Sequence, residues 1–143
     1  MSFTIDNKMK EKTKVLCVCA KGLNRSKYLA KYLRNKGYKT RFGGVENALG
    51  RKSRQPPKLI NQEDVDWADL IIIVRKRIVQ IFKRKFKTKK RIIIINVTDS
   101  KNKIPKEFAH LKEWDYKEFN KKWTYPYLRK SIKPHLPLNK RLK

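Results

Sequence analysis

Lys14-Val15-Leu16-Cys17-Val18-Cys19-Ala20-Lys21-Gly22-Leu23-Asn24-Arg25-Ser26 is the stretch on which the reading of this chain turns. Its first six residues form a short run rich in Val and Cys, the composition of a buried strand. A break containing Gly22 follows. Tyr28, Leu29, Tyr32 and Leu33 then fall at i, i+1, i+4 and i+5, which places them on one face of a helix. Asn35 and Gly37 predict the end of that helix, because glycine takes the left-handed cap without steric cost. A strand, a glycine-bearing loop and a helix therefore follow one another directly.

Working outward, the same alternation continues. Thr40 to Val45 reads as a second strand ending at the Gly43-Gly44 pair, and residues 46–58, with Gly50, Pro56 and Pro57, read as a loop. Asn61 with Asp64 three residues later has the pattern of a capping box, opening a short helix through Ala68. Asp69 leads into the continuous apolar run Leu70 to Val74. A helix over roughly 76–86 then carries Ile78, Val79, Phe82 and Phe86 on one face, and Ile92 to Val97 is a further strand. The spacing predicts a last helix from about Lys106 to Trp123, with Phe108, Leu111, Phe119 and Trp123 on its core side.

The order is β-α-β-α-β-α-β-α. Strands apolar on both faces, alternating with amphipathic helices, predict a parallel sheet covered by helices. Ligands of such sheets bind beyond the carboxyl ends of the strands, which directs attention to the loops after Cys19, Gly44, Val74 and Val97. The chain divides into a basic N-terminal extension (1–13), an α/β domain (14–124) and a basic tail (125–143). Pro126, Pro134 and Pro137 keep that tail from being one long helix, and it is expected either over the sheet edge or at the rim of the site.

Composition limits the partners. Among 143 residues, 39 are Lys or Arg and 12 are Asp or Glu, a formal charge of +27 that favours anionic partners such as nucleic acid, the ribosome, an acidic protein or phosphate. The longest apolar runs, Leu70 to Val74 and Ile92 to Ile95, are too short to span a bilayer, and the polar start from Met1 to Lys14 predicts no secretory signal. The two cysteines, Cys17 and Cys19, stand two positions apart with no others to pair with. That excludes a disulfide framework, suits a reducing cytoplasm and, with only His110 and His135 besides, predicts no metal site and no cofactor.

The loop from Cys19 to Ser26 carries the chemistry. Backbone N–H groups of a loop wrapped at a helix N-terminus point at a bound oxyanion, and the helix dipole favours its charge. Ala20, Lys21, Gly22, Leu23, Asn24, Arg25 and Ser26 would supply such a phosphate-binding loop, Gly22 taking the positive φ it needs. The electropositive setting favours the thiolate form of Cys19, the Ser26 hydroxyl would steady that sulfur, and the Arg25 fork matches two phosphate oxygens. Cys17, inside the strand, reads as core.

Val15 to Cys19, the loop, Arg25-Ser26 and the following helix resemble the start of the low-molecular-weight protein tyrosine phosphatases. Gly43-Gly44 falls where that family has a small-residue turn, and Trp67 to Val74 resembles its Ala-Asp segment leading into the third strand, so the resemblance covers residues 14 to 99 in order. It implies a flavodoxin-like four-stranded parallel sheet and metal-independent hydrolysis of a phosphorylated protein or small phosphoester. It further implies Cys19 as nucleophile, Arg25 as phosphate clamp and Ser26 as the thiolate-stabilising hydroxyl.

Two departures stand out. Lys21 and Gly22 occupy positions where the family carries a small residue and an Asn whose side chain braces the loop. The family's general acid is an Asp usually followed by Pro, after the fourth strand; here Asp99 is followed by Ser100, and Asp115 is the rival carboxylate. Arsenate reduction, found among relatives of the fold, needs further cysteines that do not follow Cys19. A second function class stays open: a weak or inactive phosphatase fold that binds nucleic acid or another polyanion through Arg75 to Arg91 and the tail, with Trp114, Tyr116, Trp123, Tyr125 and Tyr127 as stacking residues.

Overall fold

Alternate side chains of β1 (Lys14–Cys19) face opposite sides of a sheet and both sides are buried, as the all-apolar run requires. Val15, Cys17 and Cys19 enter one core, Leu16 and Val18 the other. These positions come from a computed structural model that describes residues 13–46 and 56–138. Most of the N-terminal extension, the middle of the 46–58 loop and the end of the tail lie outside the described residues.

The elements follow in the anticipated order. Helix α1 (Arg25–Arg34) leads to β2 (Lys39–Gly44), α2 (Gln62–Trp67) to β3 (Leu70–Ile73), and a 3-10 turn (Lys76–Ile78) with α3 (Val79–Lys85) to β4 (Arg91–Ile94). All four strands are parallel in the order β2-β1-β3-β4, an arrangement consistent with a flavodoxin-like fold. Leu29, Ala30 and Leu33 of α1 cover one face, while Val65 of α2 and Val79 and Phe82 of α3 cover the other. Every β-to-α turn therefore opens at the same edge of the sheet, beyond Cys19, Gly44 and Ile73.

The capping box at α2 forms as read. Asn61 Oδ1 accepts from Asp64 N at 2.9 Å, and Asp64 Oδ2 accepts from Asn61 N at 3.0 Å. A helix of six residues has few internal bonds to spare. Asn61→Ala is therefore expected to lower the free energy of unfolding by about 1 kcal/mol, and Asn61→Ser by much less, as measured by denaturant titration.

The C-terminal region differs from expectation. Residues Lys106–Glu113 form 3-10 turns, and the α-helix begins only at α4 (Tyr116–Phe119). Asp115 is the reason: its side chain accepts from Glu118 N at 2.9 Å, so it caps a helix instead of lying within one. Phe108 stays 38% exposed, while Phe119 and Trp123 are buried as expected; the Leu111 side chain lies outside the described ones.

The helix also runs further than its prolines suggest. A π-helical turn (Asn120–Thr124) joins α4 to α5 (Tyr125–Ile132), and Pro126 sits in the first turn of α5. Proline has no N–H for the carbonyl four residues back, and a widened turn accommodates that gap. The segment from Tyr125, read from sequence as a tail after the 14–124 domain, instead buries Leu128 and Ile132 in the same core as Val15 and Leu29. The chain then reaches the opposite edge of the sheet, where Leu138 N donates to Tyr38 Oη at 2.8 Å. Those last residues lie away from the β-to-α turns. No helix among the described residues is long and apolar enough to cross a membrane.

Candidate active site

Beyond the carboxyl end of β1 the chain turns through Ala20 to Asn24 and enters α1. Gly22 has φ +74°, and its N–H donates to Cys19 Sγ at 3.2 Å. Ser26 Oγ, in the first turn of the helix, hydrogen-bonds with the same sulfur at 3.0 Å. Cys19 is only 2% exposed, so both contacts are made out of bulk water. Cys17 points into the core, and burial with Cys19 nearby pushes its thiol far above the ordinary range.

Gly22 has no side chain with which to brace the loop, and backbone groups hold it there. Val45 N and Glu46 N both donate to Ala20 O, at 2.9 and 2.8 Å, and Lys58 N donates to Lys21 O at 2.9 Å. Gly44 N in turn donates to Lys58 O at 2.7 Å. The packing is tight enough that a Cβ on Gly22 would lie 2.2 Å from Lys58 O. Residues after β2 thus hold the loop after β1, a connection invisible in either segment alone.

Arg25 is 7% exposed and donates from a terminal nitrogen to Val97 O at 2.8 Å. Its Nε lies 3.4 Å from Asp99 Oδ2, a close ion pair without hydrogen-bond alignment. Asp99 is held from several sides. Asn24 Nδ2 donates to its Oδ2 at 3.0 Å, and Trp123 Nε1 donates to Thr98 O at 3.1 Å. The segment after β4 is in this way tied to both α1 and the C-terminal helix.

A cleft of about 640 Å³ opens over these groups. Cys19, Ala20, Lys21, Leu23, Asn24, Arg25 and Asp99 line it, so the residues singled out from sequence converge, with Gly22 and Ser26 bonding to Cys19 from beneath. Asp115 is not part of it; that side chain is engaged as the cap of α4. Sequence reasoning missed Glu46, Arg77, Lys103 and Tyr116, which complete the wall. Glu46 and Arg77 pair at 2.7 Å, whereas Lys21 and Lys103 have no carboxylate partner among the described residues. Burial, with the like charges of Arg25 and Arg77 beside it, pushes the guanidinium of neighbouring Arg75 down. The cleft is accordingly electropositive. Among the described residues no group of three or more His, Cys, Asp or Glu is placed to hold a metal ion.

The chain matches no protein-family model, no curated protein and no solved structure.

The basic run and the aromatic residues have structural work to do. Lys85 Nζ donates to Val45 O at 2.6 Å and Lys90 Nζ to Val65 O at 2.9 Å, which ties the residue after β2 and the body of α2 to the 85–90 segment. Tyr125 stacks on Tyr28 with centroids 4.0 Å apart, and Tyr127 on Trp123 at 5.1 Å. One face of each ring is thereby covered from within the chain.

Proposed function

We propose that this protein is a metal-independent phosphomonoester hydrolase, similar in mechanism to the low-molecular-weight protein tyrosine phosphatases, acting through a phosphocysteine at Cys19. The observation that carries the reading is the setting of one sulfur atom: Cys19 Sγ hydrogen-bonds with Ser26 Oγ and accepts from Gly22 N at the start of α1, in a cleft shared with Arg25 and Asp99. Two polar contacts fix that sulfur beneath the cleft, and the surplus of cations favours a phosphate dianion above it.

The reaction has two steps. Cys19 Sγ attacks phosphorus, the S–P bond forms and the P–O bond to the leaving group breaks as Asp99 delivers a proton to that oxygen. Loop N–H groups and Arg25 stabilise the equatorial oxygens. Asp99, now ionised, takes a proton from water, whose oxygen attacks phosphorus and releases inorganic phosphate and the Cys19 thiolate. Nothing in this sequence of steps requires a metal. The substrate is a phosphorylated protein or a small phosphoester. The cationic surface recruits an anionic partner to it.

Purified protein is expected to hydrolyse an aryl phosphate in the presence of a chelator and to be inhibited by vanadate. Asp99→Asn should lower kcat by about 10²-fold for a phosphoester with a basic leaving oxygen and far less for one with an acidic phenol, because protonation matters most when the leaving group is poor. Asp115→Asn should change neither. The opposite assignment of effects between the two variants would transfer the acid role to Asp115.

A further inference from the structure

Asn24 occupies the N-cap of α1, yet its side chain makes no capping hydrogen bond. An Asn at that position ordinarily stabilises the helix through such a bond. Here the amide is turned elsewhere, with both of its N–H donors and its oxygen engaged. Nδ2 donates to Asp99 Oδ2 at 3.0 Å and to Asn120 Oδ1 at 3.2 Å, while Oδ1 accepts from Tyr125 Oη at 2.7 Å. Four side chains from three separate parts of the chain meet at one amide.

The orientation of that amide follows from its partners. With Tyr125 and Asn120 in place, the oxygen faces the phenol and the nitrogen faces the Asp99 carboxylate and the Asn120 amide oxygen. A flipped amide would set its oxygen against the Asp99 carboxylate, two acceptors in contact. Stacking on Tyr28 at 4.0 Å and 17° between planes holds the Tyr125 ring where its hydroxyl reaches Asn24. Burial, with Tyr28 and Asp99 nearby, pushes the Tyr125 phenol up, so it keeps its proton and donates at neutral pH.

We propose that Tyr125 is a positioning residue for the general acid: through Asn24, and together with Asn120, it fixes the Asp99 carboxylate so that one oxygen is anchored and the other serves the leaving group. The inference rests on the hydrolase reading above. Both close contacts of the carboxylate, from Asn24 Nδ2 and Arg25 Nε, fall on Oδ2. Oδ1 has no hydrogen-bond partner among the described residues and is the oxygen left to carry the proton. Tyr125 itself does not line the cleft and touches no reacting atom; it acts only through Asn24. The same network gives the C-terminal helix a role at the site, since Asn120 opens the π-helical turn and Tyr125 directly follows it, so that turn sets their spacing. A π-helical turn in such a place is often a device for aiming side chains.

The test compares two substrates in the full-length protein: phenyl phosphate, with a basic leaving oxygen, and an aryl phosphate with a strongly acidic phenol. Tyr125→Phe keeps the ring and its stack on Tyr28 and removes one hydrogen bond. It is expected to lower kcat for phenyl phosphate about fivefold to tenfold. KM for both substrates and kcat for the activated ester should stay within about twofold, since the acid contributes little with a good leaving group. Asn120→Ala should shift the same ratio in the same direction. Added to Asp99→Asn, Tyr125→Phe should cost nothing further, because residues acting through one group are non-additive. An equal loss on both substrates, a full additional loss in the Asp99→Asn background, or no loss at all would overturn the proposal. If the wild type turns over neither substrate, the hydrolase reading itself falls and the positioning role with it. A wild type that is active in a Cys19-dependent way with an unchanged substrate ratio in Tyr125→Phe removes only the positioning role.

Discussion

Cys19→Ser is expected to reduce aryl phosphate turnover by at least about 10³-fold while leaving the thermal midpoint nearly unchanged. The two halves of that expectation have different origins. A serine hydroxyl gives up its proton far less readily than a thiol, and no side chain next to Sγ is a strong base: its neighbours are the Ser26 hydroxyl and the Gly22 N–H. The replacement oxygen would therefore face the phosphorus in its protonated, weakly nucleophilic form. The fold, in contrast, loses little. Oxygen is smaller than sulfur but accepts the same two hydrogen bonds, and the site is already polar on that side. Vanadate or phosphate should still raise the thermal midpoint of the variant, because loop N–H groups and Arg25 are untouched. Turnover retained in Cys19→Ser would remove the phosphocysteine from the mechanism.

The second large effect belongs to a residue that touches no substrate. Gly44→Ala is expected to destabilise the protein by about 3 kcal/mol and to abolish turnover at the same time. A Cβ there would lie 2.4 Å from the carbonyl carbon of Lys21, 2.5 Å from Ala20 O and 2.6 Å from Gly22 N. All three are backbone atoms of the loop that carries Cys19, so no side chain can rotate aside to make room. Gly44 is also opposite Cys19 in the β1–β2 register and bonds to Lys58 O on its other flank. Relief must come from moving the loop, which drags the Gly22 N–H away from the sulfur. Denaturant titration and aryl phosphate turnover, measured together, check this. A stable, inactive variant would mean that the loop yields more easily than its backbone contacts imply, and a stable, active one that the close approach is not needed.

These effects show where sequence was legible. The alternation of Val15, Cys17 and Cys19 with Leu16 and Val18 places each set in its own core. The capping box from Asn61 to Asp64 and the positive φ at Gly22 were readable because both are chemistry within a few residues. The Gly43-Gly44 pair was read as a strand end, but its reasons, the approach of Ile60 and Lys58 to Gly43 and of Ala20 and Lys21 to Gly44, came only from packing. The basic run was harder still. Lys85 and Lys90 look like their neighbours in sequence, yet each reaches a backbone carbonyl, 40 and 25 residues away along the chain.

By itself, then, the sequence determined a four-stranded parallel α/β order and a strand–loop–helix with Cys19, Arg25 and Ser26 at its turn. Periodicities of 2 and 3.6 residues, caps and glycines are local signals, and burial of two-faced apolar strands follows from them with little choice. Tertiary structure alone brought Asp99 to the cleft and left Asp115 as a helix cap. It also replaced the bracing Asn by backbone bonds, carried the helix past Pro126, and gathered Asn24, Asp99, Asn120 and Tyr125 at one amide. Those contacts join positions 75, 96 and 101 residues apart. A hydrogen bond across such a separation leaves no repeat in the chain to read, because its geometry exists only once two independently packed elements have met.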